Sequence, residues 1–421
     1  MMRYAIITLA IQILFFSCVG QDTRGRGGYT RGRKLDSEIK GGAASLNQYL
    51  PLLKDKKVAL FANHTSMIGK VHLADTLQKL GVNITVIFGP EHGFRGKADA
   101  GEKVSTYTDA ATGVPVISLY GNKLKPGKED IKDVDVMIFD IQDVGVRFYT
   151  YISSLQYYME AAIENNKHLI VLDRPNPNGH YVDGPVLDTT FRSFVGMQPI
   201  PVVYGMTIGE YAQMIFGEHW YDKKAYNWNK GEFELTVIPC TNYDHTKYYE
   251  LPVAPSPNLP NMQSIYLYPS TCFFEGTVLS EGRGTPFPFQ QFGDPSLPKT
   301  LHTFTPQSMA GAKSPKHLNQ TCYGWSIEGS AEEIRTMLAG QLQINYLTDA
   351  YRLFPDKTNF FLPSKSGKST DFFFNKLAGN EKLMQQIKEG RSAVAIRESW
   401  KKDIETFKAI RKLYLLYKDF E

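Results

Sequence analysis

The sequence is poor in the features that most quickly settle a function. It has only four cysteines, Cys18, Cys240, Cys272 and Cys322, and none is spaced as a metal site requires. With Cys18 set aside, three thiols allow at most one bridge. All three are read as packing residues, so stability must come from the core. Neither GxGxxG after the first strand nor GxxxxGK[ST] occurs, which leaves nucleotide binding without support. GxSxG and HExxH are also missing, which weakens an α/β-hydrolase reading and removes the zincin signature. The charge is nearly balanced, +4 over 421 residues. Much of that excess is local, with Arg24, Arg26, Arg31, Arg33 and Lys34 in a Gly-rich stretch that cannot form a core and reads as a solvated linker. No basic, aromatic-interleaved surface for nucleic acid is expected.

Long apolar runs are scarce too. Arg3 precedes "AIITLAIQILFF", Ala5 to Phe16, and "SCVGQD" follows. A short positive region, an apolar run too short to span a bilayer and small residues after it read as an export signal. Processing has two readings, cleavage after Gly20 or lipidation of Cys18. The second is preferred because the Gly/Arg stretch would serve as a tether. Membrane contact is expected only through that N-terminal lipid anchor.

What is present is a regular alternation. "KVALFAN", "NITVIFG", "VPVISLYG", "VDVMIFDI", "HLIVLD" and "FELTVIP" read as buried strands. "HLADTLQKLG", "YISSLQYYMEAAIENN" and "MTIGEYAQMIFGEHW" read as helices, the last opening on Thr207 with Glu210 three residues on, a capping box. Apolar strands alternating with helices predict a Rossmann-like, mostly parallel α/β sheet with helices on both faces. From about Asn242 the chain turns Pro-rich and aromatic, and "LPVAPSPNLPNMQSIYLYPS" is not expected to hold a regular element for long. The expected organisation is a signal segment over 1–20, a linker over 21–44, a Rossmann-like catalytic domain over 45–294 and a smaller α+β domain over 295–421.

Polar residues gather where those strands end. They are Asn63, then Glu91 and His92, then Asp140, Asp143, Arg147 and Tyr149, then Asp173, Arg174 and Asn176. Open parallel sheets bind ligands beyond the carboxyl ends of their strands, so four such ends predict a cleft on one edge. Each has a plainer reading: Asn176 as a turn cap, Asp140 as the ion-pair partner of Arg147 or Arg174, Asn63 as a loop staple. Glu91 is harder to explain structurally, because Pro90 fixes the backbone before it and Gly93 frees it afterwards. A second concentration, "FFEGTVLSEGRGTPFPFQQFG", sets Glu275, Glu281, Arg283 and Thr285 among glycines beside Phe287 and Phe289. Carboxylates, a guanidinium and flat apolar faces suit a sugar, with acids for proton transfer and rings for stacking. A clasp between domains is the alternative. A metal site from Glu91, His92, Asp140 and Asp143 lacks diagnostic spacing, so no metal is assigned.

With these residues in view, "GPEHGFRG", "FDIQDVGVRFYTYISSL", "LDRPNPNG", "DGPVLD", "VVYGMTIGEYA", "PSPNLPN" and "FFEGTVLSEGRGTPFPFQQFG" resemble, in order, the motifs of the NamZ-type exo-β-N-acetylmuramidases, glycoside hydrolase family 171. The resemblance runs from about residue 45 to the C-terminus. It implies an active site between a Rossmann-like and a smaller domain. It also implies release of terminal N-acetylmuramic acid from non-reducing ends of peptidoglycan fragments, without a nucleotide cofactor. Glu91 takes the place of the family's catalytic acid. On that basis His92 is expected to orient or tune Glu91, with Glu281, Asp143 or the substrate's own N-acetyl group as the second catalytic group. Arg283 or Arg147 is expected to grip the lactyl carboxylate of muramic acid, and Asn63, Asn176 and Tyr149 the hydroxyls or the acetamido group. Glu275, Thr285, Asp140 and Arg174 complete the expected binding set. A non-catalytic wall-binding lipoprotein and a metal-dependent hydrolase are the competing classes.

Overall fold

Val58, Ala59, Leu60, Phe61 and Ala62 are all buried, so β1 (Lys57–Ala62) carries apolar side chains on both faces. Only a sheet covered on both sides accommodates that. The computed structural model describes residues 38–91, 93–96, 106–222 and 233–421. The export signal, Cys18, most of the linker and His92 therefore lie outside the described residues.

A hairpin of β2 (Met67–Ile68) and β3 (Val71–His72) follows β1. Then come β4 (Asn83–Gly89), β5 (Tyr107–Thr108), β6 (Pro115–Ser118), β7 (Val136–Asp140), β8 (His168–Leu172) and β9 (Leu235–Ile238). The main sheet has seven strands in the order β5-β6-β4-β1-β7-β8-β9. All its pairings are parallel except that of edge strand β5 with β6. The chain builds outward from β1 in one direction and then returns to β7 on its other side, which makes a topological switch point between β1 and β7.

The helices divide by the two-residue period of the strands. Val58, Leu60 and Ala62 pack with Leu73, Ala74 and Leu77 of α2 (Leu73–Lys79), and with Tyr49 of α1 (Leu46–Tyr49). Ala59 and Phe61 point the other way. There they meet Leu155, Tyr158 and Met159 of α3 (Tyr151–Glu164) and Tyr211 and Ile215 of α4 (Ile208–Gly217). Helix α4 opens with the expected capping box, Glu210 N–H to Thr207 Oγ1 at 3.2 Å and Thr207 N–H to Glu210 Oε2 at 2.8 Å. The last expected linker residues behave differently from a tether: Lys40 pairs with Thr241, and the Gly42 N–H donates to Asp173 O at 2.7 Å.

The Pro-rich segment departs from expectation as well. Met262–Thr271 forms helix α5, with Pro269 inside it and Asn261 Oδ1 capping the N–H of Ser264 at 2.9 Å. Proline at that position removes the donor for the carbonyl of Ile265. The side chain of Asn178 supplies a replacement at 3.3 Å.

Beyond α5 lies a smaller α+β part. Its sheet is antiparallel in the order β10-β12-β11, from Gln291–Asp294, Cys322–Ser326 and His302–Phe304. The helices are α6 (Ala331–Leu338), α7 (Asn345–Leu353), α8 (Phe373–Ala378), α9 (Lys382–Lys388), α10 (Ala393–Glu398) and α11 (Lys401–Arg411). Its apolar core is continuous with the α3/α4 layer, joining Phe274, Phe292, Leu347 and Trp400 to Phe148 and Leu155. Asp183 ties the two parts together, accepting from Arg397 Nη1 at 2.6 Å and Trp400 Nε1 at 3.0 Å. Cys240, Cys272 and Cys322 are buried and unpaired, as packing residues.

Candidate active site

The strands β4, β1, β7 and β8 are neighbours and parallel, so their polar ends do share one edge of the sheet. The cavity there has a volume of ≈ 450 Å³, within the range of a sugar-sized ligand site. Its floor comes from the strand ends and its roof from the segment around Ser256 and the loop Glu275–Phe289.

Glu91 enters from the end of β4. The described residues after it, Gly93 to Gly96, are anchored by conformation and by contacts. Gly93 and Gly96 take positive φ, 75° and 70°, which glycine adopts at little cost. A Cβ on Gly96 would lie 2.6 Å from the His64 ring. Phe94 is fully buried. Arg95 forks two carboxylates, with Nη2 at 2.9 Å from Asp75 Oδ1 and 2.8 Å from Asp109 Oδ2. That guanidinium holds Asp109 low, at about 2. Glu91 thus stands on a moored turn, and its Oε1 accepts from the hydroxyl of Tyr120 at 2.9 Å.

Arg283 and Glu275 line the roof of the same cavity. Arg283 Nη2 lies 2.8 Å from Glu275 Oε1, and Nη1 lies 3.8 Å from Glu281 Oε1. Behind them Lys316 Nζ stands 3.2 Å from Glu281 Oε2 and donates to the carbonyls of Phe274, Thr277 and Leu279. Two carboxylates and two cations are therefore stacked in the order Glu275, Arg283, Glu281, Lys316. Burial would raise Glu281, but Lys316 and Arg283 outweigh it and hold the group low. Glu275 goes up, because burial and the neighbouring carboxylates Glu281 and Glu91 exceed the pull of Arg283.

Aromatic faces complete the lining. Tyr149 donates to Pro255 O at 2.9 Å and meets Tyr151 edge to face at 4.8 Å between centroids. Tyr151 accepts from Asn63 Nδ2 at 3.0 Å. Phe289 packs edge to face on Tyr268 at 4.8 Å and lies 5.1 Å from the Arg283 guanidinium. Its φ is +61°, an unfavourable conformation for a side chain of this size. The bond from Phe289 N–H to Glu281 O at 2.7 Å helps hold it there.

Of the residues singled out by sequence, the cavity thus brings together Glu91, Tyr149, Glu275 and Arg283. Asn63 reaches it through Tyr151. Phe289 lines it too, His92 lies outside the described residues, and the remaining ones lie elsewhere. Asp140 is paired with Arg174, which donates from Nε at 2.6 Å and Nη2 at 2.8 Å. Asn176 staples its own turn, accepting from Asn178 N–H at 2.8 Å and donating to Met206 O at 2.7 Å. These are the plainer readings of those residues.

Arg147 is fully buried, with its fork spent on the carbonyls of Pro185, Ile200 and Leu377. No ligand carboxylate reaches it, and burial lowers it to about 9. Asp143 is buried beneath the cavity, accepting from Tyr204 at 2.5 Å and Gly145 N–H at 2.6 Å, and burial raises it to about 6. Neither Asp143 nor Glu281 lines the cavity. Thr285 faces away, tied to Gly282 O and Gln291 Nε2, each at 2.7 Å.

Sequence reading missed Tyr120, Tyr151, Tyr268, Ser256 and Asn258. Tyr120 follows β6 as Glu91 follows β4, so the strand-end signal was there. Tyr268 was concealed in the segment read as irregular.

Comparison with known proteins places this arrangement. The profile described as "Exo-beta-N-acetylmuramidase NamZ, N-terminal" matches residues 58–263, and its C-terminal counterpart matches residues 266–417. The peptidoglycan beta-N-acetylmuramidase NamZ of Bacillus subtilis (strain 168) is 38% identical over 394 residues, covering 88% of this chain and 89% of that protein. A crystal structure of a DUF1343 family protein from Bacteroides fragilis NCTC 9343 superposes with a TM-score of 0.80 at 46% identity, covering 91% of this chain and 99% of that one. A second DUF1343 family structure from the same organism gives 0.74 at 29% identity, covering 90% and 99%.

Proposed function

The chain belongs to the NamZ family of exo-β-N-acetylmuramidases, and on that premise we propose that it releases terminal β-linked N-acetylmuramic acid from the non-reducing ends of peptidoglycan fragments. It is a glycosidase. The observation that carries the residue assignment is that Glu91 and Arg283 line one cavity from opposite parts of the chain. One supplies a carboxyl for the glycosidic oxygen, the other a cation for the lactyl carboxylate that distinguishes muramic acid from its parent amino sugar.

In this reading Glu91, as the general acid, gives a proton to the leaving oxygen as the C1–O bond breaks. The Tyr120 hydroxyl on Oε1 fixes the plane in which that proton is presented. With Glu281 and Asp143 outside the cavity, the substrate's acetamido oxygen is the better-placed partner for the positive charge developing at C1. Water then adds at C1 and returns a proton to Glu91, so the acid is regenerated. Arg283 grips the lactyl carboxylate by its planar fork, and the faces of Tyr268 and Phe289 offer stacking surfaces for the pyranose ring.

Export and anchoring through Cys18 belong to the same proposal, supported by Arg3 and the apolar run Ala5–Phe16. Radiolabelled palmitate should enter the wild-type chain and not Cys18→Ser. The function itself is tested by incubating the protein with a chromogenic β-N-acetylmuramide, with and without chelator. Release of the free sugar in both arms is expected. No release in either arm leaves a binding protein, and loss with chelator alone indicates a metal-dependent hydrolase.

A further inference from the structure

The loop that roofs the catalytic cavity has a second face. Arg283 and Phe289 line the catalytic side, whereas Thr285, Phe287, Gln290 and Gln291 line another cavity of ≈ 600 Å³. Its far wall comes from β11, the end of β12 and the start of α5. Nothing in the mechanism above uses it.

The chemistry of this cavity is specific. Phe287 is 54% exposed, on a loop whose other aromatic, Phe289, is 1% exposed. A phenyl ring left in water forgoes the stabilisation that burial gives its neighbour. Gln290 is only 6% exposed, yet its amide nitrogen has no hydrogen-bond partner in the protein. A buried donor left unmatched is a cost that folded proteins rarely carry, and it marks this wall of the cavity as polar and unsatisfied. The other polar lining is amide, hydroxyl and one imidazole: Gln263, Thr303 and Ser326 are among it, with His302, whose Nε2 lies 3.2 Å from Gln291 Oε1. Neither lysine nor arginine lines the space, and Glu328 is its single carboxylate. A phosphate, a carboxylate or an acidic peptide would find neither a guanidinium nor an ammonium here. An aromatic face with amides and hydroxyls around it is the chemistry that binds an uncharged sugar.

We infer that this second cavity is a binding site for a neutral N-acetylated amino-sugar segment, holding glycan beyond the residue being cleaved. The inference rests on the muramidase reading for its biological role, though not for the binding itself. Because one loop walls both cavities, glycan seated against Phe287 would also steady Arg283 and Phe289 on the other side.

The test uses the full chain and N,N′-diacetylchitobiose as probe, titrated by calorimetry in the presence of saturating N-acetylmuramic acid to occupy the catalytic cavity. Wild-type protein should still bind the probe, and Phe287→Ala and Gln263→Ala should each weaken binding at least about 10-fold. Phe287→Ala should leave kcat/KM on a chromogenic monosaccharide muramide within about twofold, and lower it about 10-fold on glycan chains. Phe287 is exposed, so the variant should fold, and its unfolding temperature checks this. Absence of probe binding under saturating N-acetylmuramic acid, or unchanged binding in both variants, would overturn the inference. Failure to cleave any muramide would instead defeat the muramidase reading, and the titration would remain interpretable.

Discussion

The hydroxyl of Tyr120 donates to Oε1 of Glu91 across 2.9 Å, and each residue stands two positions beyond the paired strand residues Gly89 and Ser118. The pair is thus positioned by sheet register, and a carboxyl fixed by a neighbouring strand presents its proton in one direction. Glu91→Gln should lower kcat on a β-N-acetylmuramide by about 10²–10⁴-fold, the usual contribution of a positioned acid. Tyr120→Phe should cost about 10–100-fold in kcat with little change in KM, in line with one hydrogen bond to the carboxylate charge that develops as the proton leaves. Steady-state kinetics on both variants checks this. Near-wild-type turnover in Glu91→Gln would remove Glu91 from the chemistry.

Arg283 already faces two carboxylates, so its charge is compensated before substrate arrives. Adding the lactyl carboxylate gives three carboxylates against Arg283 and Lys316. The excess is relieved most readily by protonating Glu275, whose carboxyl burial has already raised. A group that binds a proton with ligand makes affinity fall as pH rises through its titration. Calorimetry of N-acetylmuramic acid in two buffers of different ionisation enthalpy should therefore report proton uptake on binding, reduced in Glu275→Gln. Arg283→Lys, which lacks the planar fork, should raise KM about 10-fold on the muramide. It should have little effect on a substrate analogue whose lactyl group is esterified.

Much of this was legible in the sequence, for physical reasons that differ by residue. Glu91 was visible because Pro90 and Gly93 constrain the backbone around it, and Thr207 with Glu210 because a capping box is local. Arg147 and Asp143 misled because residue type at a strand end does not report depth: both follow β7 on the right edge, but these side chains turn inward to partners within the protein. The helix α5 was illegible because Pro269 is tolerated only through Asn178, 91 residues earlier by number. Local pattern cannot carry such a long-range substitution for a missing donor.

The mooring of the Glu91 turn makes a separate prediction. Gly96→Ala would place a methyl group 2.6 Å from the His64 ring at a φ of +70°. The strain is expected to cost about 1–3 kcal/mol, and because the turn carries Glu91, kcat should fall more than stability does. Arg95→Ala releases Asp75 and Asp109 together and should act in the same direction. Urea denaturation set beside kcat measurements separates the two effects. If activity simply follows the folded fraction, the turn is a structural feature alone.

Stability should also depend on pH in a defined direction. Asp143 and Asp173 are buried carboxyls pushed up to about 6, in both cases chiefly by burial. A carboxyl whose folded pKa exceeds its unfolded value near 4 binds more protons when folded. Its contribution is fully present below pH 4 and is lost as pH rises through about 6. Asp109, held at about 2 by Arg95, acts oppositely, stabilising above pH 4 and losing that effect as pH falls through about 2. The part of the stability carried by Asp143 and Asp173 should therefore be larger at pH 4 than at pH 7, each contributing on the order of 3 kcal/mol to the change. Asp143→Asn keeps the shape and removes the titration, so the unfolding free energy of wild type minus that of the variant should fall between pH 4 and pH 7. Parallel curves for the two proteins would show that Asp143 does not titrate in that window.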